Sequence, residues 1–583
     1  MKQLLFVICL LNSLSSFSQY YLRGNVIDEK GRVLEGAKIY LYSKGTLPFS
    51  SGNNGLFGIP VSKPKDTITI IFDGYEIFKK EVDTRLFQNL VLKMLPATAS
   101  LMKHRLSSRT TNLLQANQQS LFASMGESYS NYFENELIES DAYPETGFAL
   151  NVDRASYSNI RRFINNQSRV PTDAVRIEEM LNYFNLKNPS SQFNTTTFNC
   201  ETYFTNCPWN NNSKILSINI IAPRIDLEKV PPTSLVFLID VSGSMDKPNR
   251  LPLLQTAFKL LVENIRDKDS ISIITYGGGV HVALAPTNGS NKQFINNIID
   301  SLYADGDTPG ENALRIAYDI AKSCFIKNGN NRIVLATDGD FNVGQTSEKD
   351  LEELISFQRQ SGIYLTCLGV GMGNYKDSKL ETLAKKGNGN FAYLDNIQEA
   401  EKVLVTEFTK TIYAVANDAY LNVQFNKEVI KKYRLIGFDN KKDAISDSTS
   451  ELEGGEVGSG HNLMALFEVE LADSFNAVNT IAAKLNLQYR STNKDCILNK
   501  KWTITYKANT FNEEKKYLQF ANAVVMAGQL LRQSNYIKGF SFNDVLKIAE
   551  PAADITNKQQ IEFLTLLQKA EKIYNLKSNK KKY

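Results

Sequence analysis

The sequence predicts a multidomain chain built around a doubly wound, Rossmann-like α/β unit, flanked by β-sandwich and helical regions and preceded by a small β-sandwich. Three observations carry this reading. Apolar strands alternate with helical patterns from 233 to 417. Short apolar–polar alternations broken by turn residues fill 20 to 94. Strand patterning returns on both sides of the α/β stretch, at 190–230 and 418–508, before a helical C-terminal end. With 583 residues, 42% of them hydrophobic and 22% charged, the chain can build several cores, roughly three to four domains.

Residues 1–18 combine Lys2, an apolar run from Leu4 to Leu11 and the small-x-small end Ser16-Phe17-Ser18, the layout of a signal peptide that leaves a mature chain starting near Gln19. Phe6-Val7-Ile8 before Cys9 lack the small residues of a lipoprotein cleavage site. No later stretch reaches the roughly 18 to 20 apolar residues of a membrane span, so the expectation is an exported protein: periplasmic, envelope-bound or secreted. Without Cys9 five cysteines remain, and Cys200 and Cys207 are candidates for a bridge across a short hairpin. Cys324 and Cys367 read as buried thiols. A formal net charge of +4, with the dense basic run confined to the tail after Lys577, argues against a nucleic-acid partner.

In 20–94, breaks at Asp28-Glu29-Lys30-Gly31, Ser51-Gly52-Asn53-Asn54-Gly55 and Asp73-Gly74 punctuate short antiparallel strands. "GNVIDEKGRVLEGAKIYL", "NNGLFGIP" and "ITIIFDGYEIFKKEV" resemble the carboxypeptidase regulatory-like domain, which implies a transthyretin-like sandwich without a catalytic site. Residues 95–126, rich in Ser, Thr, Gln and Asn, read as a linker. Residues 127–230 follow as a flanking region, with one helix over Ala155–Asn165, a capped one from Pro171-Thr172-Asp173 to Tyr183, and strands in "TFNCETYFTN" and "KILSINIIAP". In 233–417, "SLVFLID", "SISIITYG", "NRIVLATD" and "GIYLTCLGVG" are strands, and Leu251, Leu254, Ala257, Phe258, Leu261 and Ile265 recur at helical spacing between the first two. Residues 418–583 bring four more strands and then helices near Glu513–Gln533, Phe542–Ile548 and Lys558–Lys572. Strands on both sides of the α/β unit suggest one sandwich into which that unit is inserted.

The chemistry concentrates where the first α/β strand ends. "LIDVSGSMDKP" places Asp240, Ser242 and Ser244 on alternate positions, and "VLATDGDFNVG" delivers Asp338 from another strand to the same rim, where open α/β sheets bind ligands. "LYADGDTPGENAL" adds Thr308 in a Gly-containing loop before a helix. Few charges with several hydroxyls suit a hard cation such as Mg²⁺ or Mn²⁺ and leave positions for an incoming group. An EF-hand does not fit, because the sixth position from Asp240 is Met245 and the twelfth is Leu251.

D-x-S-x-S, the Thr loop and T-D-G in this order resemble the metal-ion-dependent adhesion site of von Willebrand factor type A domains. The resemblance implies Asp240, Ser242, Ser244, Thr308 and Asp338 as the metal set, with Asp305, Asp307 and Asp340 close by. "VDRASYSNIRRFINN…AVRIEEMLNYF" and "YRLIGFDN…GGEVGSGHNLMALFEVE" extend the likeness to exported bacterial A-domain proteins with a C-terminal domain of unknown function, although Asn151 stands where an acidic residue is expected.

Other chemistry is weaker. Ser459 and His461 lack the G-x-S-x-G elbow and read as a turn into the next strand. His104, His281 and His461 show no zinc spacing. "YGGGV" lacks a phosphate-loop lysine, and Arg161, Arg162 and Arg176 read as a solvated helix face or interdomain ion pairs. Trp209 and Trp502 read as packing. The expected function is non-enzymatic: binding of a protein partner that supplies an Asp or Glu carboxylate to the metal. The alternative is an envelope scaffold whose sandwiches make the contacts and whose metal only stabilises.

Overall fold

A computed structural model describes residues 20–93 and 134–575, with Glu127 and Tyr129, apart from isolated residues or pairs and the segments 188–194, 307–309, 340–347, 408–411, 439–454, 473–479, 493–495 and 507–514. The expected signal peptide and linker lie outside the described residues. The chain divides into two units.

In the first unit, β1 (Tyr20–Asp28), β2 (Lys38–Leu41), β3 (Phe49–Ser50), β4 (Leu56–Val61), β5 (Lys65–Ile71), β6 (Phe78–Asp83) and β7 (Phe87–Leu92) form two sheets, ordered β4-β1-β7 and β3-β2-β5-β6. Alternate residues such as Leu22 and Val26 of β1, Ile59 and Val61 of β4, and Ile68 and Ile70 of β5 turn inward to one core, as a period of two requires.

The second unit opens with β8 (Ile138–Glu139), β9 (Glu145–Ala149), α1 (Ala155–Asn165), α2 (Ile177–Tyr183), β10 (Asn199–Asn206) and β11 (Lys214–Ile221). The α/β stretch then runs β12 (Thr233–Asp240), α3 (Leu251–Asn264), β13 (Ser270–Tyr276), β14 (Val280–Asn288), α4 (Lys292–Asp300), α5 (Gly310–Ser323), β15 (Asn330–Thr337), α6 (Glu348–Gln360), β16 (Ile363–Val370), α7 (Asp377–Lys386), β17 (Phe391–Leu394) and α8 (Ile397–Glu401), which passes into a π-helical turn, Lys402–Thr406. It closes with β18 (Ala414–Phe425), β19 (Ile430–Ile436), β20 (Gly455–Gly458), β21 (Asn462–Leu471), β22 (Ile481–Ser491), β23 (Ile497–Thr505), α9 (Lys516–Arg532), α10 (Phe542–Ala552) and α11 (Lys558–Asn575).

The central sheet is ordered β14-β13-β12-β15-β16-β17, parallel except for β14. Every residue of β12 is buried, and its side chains alternate between two cores: Leu235, Phe237 and Ile239 meet α3, while Val236 and Leu238 pack with Leu314, Ala317 and Tyr318 of α5. β12 has β13 on one side and β15 on the other, so the strand order reverses beside Asp240. Two strands escape the sequence pattern. β14 is a largely exposed edge containing Pro286, and β17 has only four residues, so neither carries a clean periodicity.

Around this sheet, β10-β11-β21-β19-β8 and β20-β18-β22-β23, with β9 on β18, share one core. The sandwich expected around an inserted α/β unit is present, and β8 and β9 complete its two sheets. Helices α1, α2, α9, α10 and α11 share a second core with residues of the first sheet, among them Ile215, Ile436, Met464 and Leu466.

Three expectations need correction. The helix expected from Pro171 to Tyr183 is a 3₁₀ turn, Thr172–Ala174, followed by α2, with Val175 and Arg176 extended between them and no side-chain cap. The extended backbone coincides with Arg176 turning inward to Glu179 and Asp377. The solvated-face reading of the arginines fails as well: Arg161, Arg162 and Arg176 are 3%, 8% and 4% exposed. Arg161 instead holds Asp395 and Glu399 of the α/β stretch and Glu562 of α11. Finally, Cys200 and Cys207 are not disulfide-bonded. Cys200 is the second residue of β10 and Cys207 directly follows the strand, a separation of roughly 20 Å along an extended strand, against the Cα spacing of about 7 Å or less that a bridge needs.

Candidate metal centre

Asp240 ends β12 with no exposed surface, and hydrogen bonds fix both carboxylate oxygens. Oδ1 accepts from the Ser242 backbone N–H at 2.9 Å and Oδ2 from Thr337 Oγ1 at 2.8 Å. Ser242 and Ser244 bracket the start of a short 3₁₀ turn, Gly243–Met245, which brings their hydroxyls to 3.2 Å from each other. Ser244 Oγ donates to Asp338 Oδ2 at 2.8 Å. A chain of oxygens therefore runs from the end of β12 to the end of β15. Ser242 is buried while Ser244 is exposed, so the set is closed below and open above.

Backbone contacts join the rim loops. Asp305 N–H donates to the Val241 carbonyl at 2.6 Å, and Gly243 N–H to the Gly306 carbonyl at 3.0 Å. Gly277, after β13, sits so close that a Cβ there would lie 2.6 Å from the Asp305 oxygen and from the Val241 carbonyl carbon. Gly306 is thereby drawn to the β12 loop; Thr308, two residues on, lies outside the described residues, as do Asp307 and Asp340.

Burial pushes the Asp240 carboxyl up to about 6, with the charge of Asp338 adding to it, against the hydrogen bonds from Ser242 and Thr337. The Tyr276 phenol, at the end of β13, is held well above its ordinary value by burial and by Asp240. A carboxylate this poorly solvated gains from a cation beside it. The donor chemistry fits a hard divalent ion: two carboxylates from neighbouring strands, two hydroxyls between them, and an open side toward solvent.

Two contributors carry no ligand-spacing signal in the sequence. Thr337, visible only as the first letter of T-D-G, orients Asp240 and accepts from Gly339 N–H at 3.2 Å. Arg250, just before α3, is 4% exposed and pairs with Asp338. A second acidic group, Asp153, Glu179 and Glu381, brings ligand atoms within 4.8 Å of one another, but Arg176 and Lys385 lie against it as counter-ions. Ser459 and His461 form the turn ahead of β21, where Ser459 Oγ accepts from Ile225 N–H at 2.8 Å. Trp209 packs in the helical core and donates to Glu468 at 3.2 Å. Among the described residues no helix is long and apolar enough to cross a membrane.

Family models divide the chain at much the same places. A family model described as von Willebrand factor type A domain matches residues 234–406, one described as von Willebrand factor matches 123–217, and one described as Uncharacterized protein YfbK, C-terminal, matches 410–573. A von Willebrand factor type A structure from Catenulispora acidiphila is similar at 14% identity and a TM-score of 0.38, covering 63% of this chain and 89% of that one. The ArnB paralog VWA2 from Sulfolobus acidocaldarius is similar at 14% identity and a TM-score of 0.33, covering 65% of this chain and 98% of that one. The uncharacterized protein YfbK of Escherichia coli (strain K12) is 34% identical over 469 residues, which cover 77% of this chain and 82% of that protein. The chain therefore belongs to the YfbK family of proteins built around a von Willebrand factor type A domain.

Proposed function

We propose that this is an exported, non-enzymatic protein that binds a protein partner through a Mg²⁺ or Mn²⁺ ion held at the top of its A domain by Asp240, Ser242, Ser244, Thr308 and Asp338. The observation that carries the reading is the oxygen chain from Asp240 to Asp338 at the strand-order reversal, open toward solvent at Ser244. Charge bookkeeping names the partner's chemistry. Asp240 and Asp338 contribute −2 and the paired Arg250 contributes +1, a sum of −1. A divalent ion turns that into +1, which an Asp or Glu carboxylate of the partner neutralises while filling an open coordination position. Exposed Tyr303 and Met372 on neighbouring rim loops offer apolar contact around the polar centre. Residues 20–94 serve in this reading as a carboxypeptidase regulatory-like accessory sandwich.

Calorimetric titration of Mg²⁺ and Mn²⁺ into the mature chain tests the site. One ion should bind the wild type and none Asp240→Ala, with both proteins folded by circular dichroism. Partner capture that persists in EDTA would sink the metal-dependent reading and move the contacts to the sandwiches, as a scaffold requires.

A further inference from the structure

We infer that Arg250 is a built-in counter-ion of this centre that keeps the cation weakly held until a partner carboxylate arrives; the inference rests on the metal reading above. Arg250 joins three rim loops. Nη1 donates to Asp338 Oδ2 and, at 2.6 Å, to the Ser244 carbonyl; Nη2 donates to the Met372 carbonyl at 2.9 Å. These acceptors follow β15, β12 and β16. The side chain is also wedged in place, since a Cβ on Gly371 would lie 2.5 Å from its Nε.

A permanent positive charge here has two consequences. It holds Asp338 and the three loops together without any ion. It also opposes the ion, because the Asp338 oxygen that Ser244 Oγ contacts is the one the guanidinium already neutralises. Charges a few ångströms apart in a poorly screened interior interact strongly. Asp240, Asp338 and Arg250 together therefore present −1 rather than −2 to the divalent ion, and an incoming carboxylate offsets the surplus +1 that the ion creates on them. Metal and partner should load cooperatively, each raising the affinity for the other by the same factor.

Mn²⁺ titration by calorimetry into the full mature chain, with wild type, Arg250→Met and Arg250→Lys side by side, tests this. Arg250→Met should bind Mn²⁺ more tightly by about tenfold or more, because the repelling charge is gone. Arg250→Lys, which keeps the charge but not the fork, should bind no more tightly than wild type. A purely structural role would instead weaken both variants, and equal or weaker binding by Arg250→Met overturns the inference while leaving the metal site standing. Absence of binding in all three overturns the metal reading and this inference together. If Arg250→Met does not fold, Arg250→Gln carries the same comparison.

Discussion

Glu468 shows what single side chains decide in this molecule. Fully buried in β21, it accepts from Arg434 Nη2 at 2.6 Å, Asn210 Nδ2 at 3.0 Å and Trp209 Nε1 at 3.2 Å. Burial alone would raise its pKa, but Arg434 and the other donors hold it below the ordinary value. Arg434 is itself 1% exposed. Glu468→Ala leaves that guanidinium buried beside a cavity, so the expected loss is about 3–5 kcal/mol in urea unfolding; Glu468→Gln, which keeps an acceptor, should lose less. A cost under about 1 kcal/mol would show that water readily replaces the carboxylate. At this scale the sequence was legible where chemistry follows spacing: Asp240, Ser242 and Ser244 stand two residues apart and leave the strand together. Arg434 and Glu468 are separated by 34 positions, and no spacing rule links them.

The charged contact between the start of α2 and α7 sets a pH dependence. Arg176 lies among Glu179, Asp377 and Glu381, and Lys385 holds Glu381 at 2.5 Å. Burial pushes Glu179 up to about 7, with Asp153 and Glu381 adding to it and Arg176 opposing. Asp153 rises to about 6, again by burial, against Lys385. Asp377 is also raised by burial, against Arg176. These folded carboxyls bind protons more tightly than the unfolded chain does. The stability they supply is thus complete below the ordinary carboxyl range and is lost as pH rises through about 6 to 7. Between about pH 5 and about pH 8 the second unit should lose about 2 kcal/mol, and Glu179→Gln should flatten that slope. Chemical denaturation at a series of pH values reads both, and a flat wild-type profile would refute the assignment. The arrangement depends on Arg176 leaving the helix path, which the Pro171 signal at the start of a long apolar pattern did not reveal.

At the scale of the whole molecule, the second unit is a sandwich into which the α/β domain is inserted and then bolted. Arg332, with no exposed surface on β15, donates to Thr366 at 2.9 Å and to Glu456 of β20 at 2.7 and 3.0 Å. Arg161 of α1 reaches Asp395 and Glu399. Residues 233–417 alone would strip Arg332 of its carboxylate and uncover apolar surface. That fragment should melt below the same domain in the full chain, by about 10 °C or more, as calorimetry would show; equal melting would mean that the surrounding sandwich adds nothing to the domain. The sequence by itself determined the alternation of strands and helices, the two-sided burial of β12 and the oxygen-bearing side chains at its end, because each is a local pattern of period or spacing. Only the tertiary structure decided that Arg250 sits on Asp338, that Arg161 and Arg176 are buried, and that Arg332 meets Glu456. Those pairings arise when segments far apart in the chain pack together, and a buried charge finds its partner through space, where no sequence period records it.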